Sequence, residues 1–145
     1  VTTTLADVNG TVRAEYQHLH EAAAHGTLSE LCHRHGLDLL LVFGSVLVDS
    51  EDPRDLDVAI RFAPNSGAYD TLKILDDLYR LTGSERIDLM VLNRAGPLAR
   101  ERALTTGEPL FQPKQGDFTN AQTAAIMERL DTDRFRALDL ELLSS

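Results

Sequence analysis

The sequence predicts a single α/β (α+β) domain, a small mixed β-sheet with helices packed on one face. Two observations lead there. Segments of helical and of strand periodicity alternate along the chain, and no internal repeat, low-complexity tract or Pro/Gly-rich linker divides it. A chain of 145 residues, 43% of them apolar, is near the commonest domain size, so one domain is expected over residues 1–145.

From Thr11 to His35, residues Val12, Tyr16, Leu19, Ala23, Leu28, Leu31 and Cys32 recur at helical spacing, with Gly26 a break and Gly36 a stop. This gives one N-terminal helix (about 11–35) or two short ones. DLLLVF (38–43) is a nearly continuous apolar run ending at Gly44, as in a strand buried on both faces. DLDVAIRF (55–62) alternates strictly, so Leu56, Val58, Ile60 and Phe62 share one face and Asp55, Asp57, Ala59 and Arg61 the other. After the turn APNSG, Leu72, Leu75, Leu78 and Tyr79 form a helical stripe closed by Gly83. RIDLMVLN (86–93) reads as a third strand, and Pro97 opens a further helix that stops at Gly107. PLFQ adds a short edge strand, and a helical tail (about 119–143) carries Ile126, Met127, Leu130, Leu138 and Leu142 as core or as a partner-binding face.

Charge narrows the function. With 14 Lys and Arg against 23 Asp and Glu, the formal charge of -9 disfavours long-range attraction to nucleic acid or anionic membrane. Cys32 is the lone cysteine, the start VTTTLADVNG lacks the basic and apolar parts of a signal peptide, and no stretch has the length of a membrane helix. A cytoplasmic setting is expected.

Asp55 and Asp57 lie two apart on a strand and therefore project from one face. Asp88 occupies the middle of another strand, where an ionised group needs a partner or a metal. If the three meet at ~5 Å, each pair repels by about 3 kcal/mol at an effective dielectric near ~20, so a cleft holding them calls for cations. Oxygen donors without His or Cys suit a hard ion such as Mg²⁺, which takes one or two carboxylates plus substrate phosphates. Gly44 and Ser45, at the end of a strand, let the backbone approach phosphates and open a helix whose N-terminus attracts anions.

Gly44-Ser45, then about ten residues, Asp55-x-Asp57, and a later Asp88 on an adjacent strand form an order that resembles the nucleotidyltransferase superfamily related to DNA polymerase beta. The short chain and the segment RIDLMVLNRAGPLARERALTTGEPLF are similar to the minimal nucleotidyltransferases, including antitoxins paired with HEPN toxins. The resemblance covers roughly residues 28 to 112. Members often continue Gly-Ser with a small residue, Arg and Gly; here Leu47, Val48 and Asp49 follow, and Arg54 precedes Asp55 as a possible phosphate contact.

The resemblance implies a nucleotidyltransferase-like fold and transfer of AMP from Mg-ATP to a tyrosine hydroxyl of a cognate HEPN toxin. Asp55, Asp57 and Asp88 would be the catalytic and metal-binding residues on a pair of Mg²⁺ ions, with Asp88 also helping to deprotonate the acceptor. Gly44, Ser45 and Arg54 would bind the nucleotide. Two alternatives stand beside this: transfer to a small molecule such as an antibiotic, and a catalytically silent antitoxin that acts by binding alone. Other groups read more plainly. Cys32, His33 and His35 form a helix end without zinc spacing; Asp76 and Asp77 form a solvated helix face; Asp49, Glu51 and Asp52 form a solvated loop.

Overall fold

The structure, a computed structural model, describes residues 5–49 and 52–144, with side chains from Val12 onward. Its elements are α1 (Leu5–His25), α2 (Thr27–Arg34), β1 (Leu37–Phe43), a 3₁₀ turn (Ser45–Leu47), β2 (Leu56–Phe62), α3 (Thr71–Thr82), β3 (Ile87–Val91), α4 (Pro97–Thr106), β4 (Glu108–Phe111) and α5 (Asp117–Ser144). Gly26, at φ 86°, does break the N-terminal segment into two helices. Asp70 caps α3 by accepting from the Lys73 amide at 3.1 Å, and Gly83 closes it at φ 75°.

The four strands form one mixed sheet in the order β3-β2-β1-β4. β1 pairs antiparallel with β2 and with β4, while β2 and β3 run parallel and are joined through α3, as a parallel pair requires. The third strand is shorter than expected because Asn93 leaves the ladder. Its side chain accepts from the Phe62 amide at 2.9 Å and donates to the Phe62 carbonyl at 3.1 Å. Asp55 is likewise a bend just ahead of β2 and not its first residue.

The mixed α/β sheet is as the sequence predicts, but helices cover both of its faces instead of one. Leu40, Val42, Val58 and Ile60 pack with Val12 and Leu19 of α1, Leu28 and Leu31 of α2, and Ile74 and Leu78 of α3. Leu39, Leu41 and Ala59 turn the other way onto Ala103 and Leu104 of α4 and Phe118, Ala121 and Ala125 of α5. The cause is β1 itself: a strand apolar at every position needs a cover on each side. Two-sided burial leaves only the sheet's ends for polar chemistry.

The tail helix is not core along its length. Phe118, Ala121 and Ala125 are its buried residues, whereas Leu138 is 51% exposed and Leu142 73%. Among the described residues no helix is long and apolar enough to cross a membrane.

Candidate active site

Strand register assembles the acids. Asp57, near the start of β2, sits opposite Phe43 of β1 and beside Asp88 of β3. Neighbouring strands lie ~4.8 Å apart, so two carboxylates on the same face of adjacent strands must meet. Asp57 is half-buried, while Asp55 and Asp88 are exposed. Burial, then the charges of Asp88 and Asp55, and a hydrogen bond with Asp88 push the Asp57 carboxyl up to about 6. All three predicted acids are therefore within electrostatic reach at one end of the sheet.

Gly44 is fitted against them. It adopts φ 85° and ψ -157°, a region essentially restricted to glycine, and a Cβ built there would overlap Asp57 Oδ2. The residue is glycine because a carboxylate occupies the space a side chain would need. Ser45 follows, half-buried, but the helix expected after it is a single turn: Leu47 N donates to the Gly44 carbonyl at 3.1 Å, Val48 N to the Ser45 carbonyl at 3.0 Å, and Val48 is already extended. Three residues sum few peptide dipoles, so the phosphate-attracting element is a Gly-Ser turn and not a helix N-terminus. Arg54 is exposed and makes no hydrogen bond or ion pair with another described residue.

Helix α1 braces this end of the sheet, a role the sequence reading missed. Arg13 donates from Nη1 to the Val46 carbonyl at 3.2 Å and from Nη2 to the Val48 carbonyl at 3.1 Å, strapping the Gly-Ser turn. Glu15 is buried with Arg86 at 3.9 Å, and one of its carboxylate oxygens has no hydrogen-bond partner. Tyr16 donates to Glu108 Oε1 at 2.9 Å, at the start of β4, and burial followed by that bond pushes its hydroxyl up to about 12. His20 completes the group, 2.5 Å from the same oxygen. The one signal in the sequence is Glu15, a charge within the helical stripe of Val12, Tyr16 and Leu19.

The plainer expectations mostly hold. Cys32 is buried, and Asp49 and Asp52 are exposed, while Glu51 lies outside the described residues. Asp77 is a correction: it is not a solvated acid but takes a 2.6 Å contact from His35, which holds its carboxyl below the ordinary range. His35 from the α2 end reaches α3, a contact across 42 residues that no local pattern marks.

Among the described residues no group of three or more His, Cys, Asp and Glu is arranged to hold a metal by itself. The acid cluster is thus an open set of oxygen donors and not a closed cage. That form fits Mg²⁺, which prefers one or two carboxylates completed by water and phosphate. The crowding that raises Asp57 is relieved by a cation.

The polymerase beta nucleotidyltransferase family model matches residues 27–116, which span the turn and all three acids. The chain belongs to that family. A solved toxin-antitoxin complex with AMP-PNP contains a similar chain, with a TM-score of 0.61, 19% identity, and coverage of 83% of this chain and 98% of that one. The MntA-HepT toxin-antitoxin complex gives 0.57 and 18%, covering 83% and 96%. The complex of a tri-AMPylated Shewanella oneidensis HEPN toxin with its MNT antitoxin gives 0.57 and 19%, covering 83% and 95%. At these identities the likeness establishes the nucleotidyltransferase fold. No curated protein matches the sequence significantly.

Proposed function

We propose that this nucleotidyltransferase domain moves AMP from Mg-ATP to a tyrosine hydroxyl of a HEPN-type toxin and acts as its antitoxin. The observation that carries the proposal is Asp57 held between Gly44 and Asp88, with Asp55 alongside. AMP-PNP in one structural neighbour and an AMPylated toxin in another support the choice of nucleotide and acceptor.

Asp55, Asp57 and Asp88 would hold a pair of Mg²⁺ ions. When bound, such ions neutralise the triphosphate and stabilise charge on the attacking and leaving oxygens. Gly44 and Ser45 bring backbone close to the outer phosphates, and Arg54 is placed by sequence to reach them. Asp88 is the exposed acid of the β2–β3 pair and accepts the proton of the tyrosine hydroxyl. The hydroxyl oxygen then bonds to the α-phosphorus as the bond to pyrophosphate breaks. With the Gly-Ser turn reduced to three residues, a silent antitoxin that only occludes its partner is the second reading.

Incubation with ATP labelled at the α-phosphate, Mg²⁺ and the purified partner tests this. Label should reach the partner with the unmodified chain and not with Asp57→Asn. Absence of label, with the complex still formed, would establish the silent reading.

A further inference from the structure

We propose that the cleft between α4 and α5 is a second anion site, suited to a small ligand carrying two or more phosphoryl groups. The cleft has a volume of about 460 Å³ and is lined by Arg102, Arg129 and Arg136 together with the first turn of α4. That size lies within the usual range for small-molecule sites and exceeds what one phosphate fills.

The charges around it are unbalanced. Arg129 is committed to Glu101 at 2.5 Å and to Asp133 at 3.7 Å. Arg102 and Arg136 are exposed and make no hydrogen bond or ion pair with another described residue, although the chain carries 23 acids against 14 bases. Two guanidiniums left without acids in so acidic a protein, facing one cleft with a third, form a local positive field. Guanidinium forks match phosphate oxygens two at a time.

The backbone adds donors. Arg100 N is the first α4 amide bonded back into the helix, to the Gly96 carbonyl at 2.9 Å, so the Leu98 and Ala99 amides at the cleft have no helical partner. Nothing stands within 4 Å of where a Gly96 side chain would be, which lets an anion approach. β3 runs from Asp88 away to Val91 before the chain reaches α4, so the cleft lies at the end of the strand remote from the catalytic acids. It is separate from the nucleotide site proposed above.

Calorimetric titration with inorganic pyrophosphate, in EDTA and without nucleotide, tests the site. Binding should be kept in Asp57→Asn and weakened about tenfold or more in the double variant Arg102→Ala, Arg136→Ala, with partial recovery when both are lysine. Four results would overturn the proposal: no binding by the unmodified chain, equal binding by the double alanine variant, loss in Asp57→Asn, or a glutamate oligopeptide binding as tightly as pyrophosphate.

Discussion

Gly44→Ala is expected to destabilise the protein and to spoil the acid cluster in one step. Alanine at φ 85° and ψ -157° carries a backbone cost of roughly 1–3 kcal/mol whatever its surroundings do. Its methyl group would also overlap Asp57 Oδ2 and stand 3.1 Å from Asp57 Cγ. If Asp57 stays, overpacking adds roughly another 1–3 kcal/mol. If its carboxylate swings away, that second cost is relieved but the contact with Asp88 is lost. Urea denaturation reads the first effect, and Mg-ATP titration of the folded variant reads the second. A variant with the parent's midpoint and the parent's affinity would refute the packing of Gly44 against Asp57.

Asp57→Asn should stabilise the nucleotide-free protein at about pH 8 while abolishing transfer. The folded carboxyl titrates at about 6 against an ordinary 3.8, so the native state holds the proton more tightly and stability falls as pH rises between those values. Discounted for solvent around a half-buried group, the gain is roughly 1–2 kcal/mol, vanishing near pH 4, and equal midpoints at both pH values would contradict it. Arg13→Ala should cost about 1–2 kcal/mol through its bonds to Val46 and Val48 and raise the KM for ATP, with Arg13→Lys intermediate; an unchanged KM would remove the strap's role. Ile60→Ala, at a fully buried position, should cost about 2–5 kcal/mol by denaturation, and a loss below ~1 kcal/mol would mean that this face of the sheet repacks freely.

The acids and the turn were legible because strand alternation and spacing are local properties. Asp55-x-Asp57 fixed a shared face, and the apolar run before Gly44 located the end of a central strand. The two-sided helical cover was also implicit in that run, yet the polar face of 55–62 suggested a single cover; only Ala59 marks where α4 and α5 press on it. The brace from α1 was illegible because its bonds span distant segments, 33 residues for Arg13 to Val46 and 92 for Tyr16 to Glu108. The short turn after Gly44 was misjudged because Ser45 suits a helix start, while Val48 takes an extended conformation that ends the turn. In the tail, helical period was plain but its apolar side faces outward, since periodicity reports a stripe and not what covers it.

The most direct test of nucleotidyl transfer is the intact mass of the partner toxin co-produced with this chain or with its Asp57→Asn variant. Transfer predicts a partner heavier by one or more AMP units, placed on tyrosine by peptide mapping, only with the unmodified chain. A partner of unmodified mass in both preparations would contradict it.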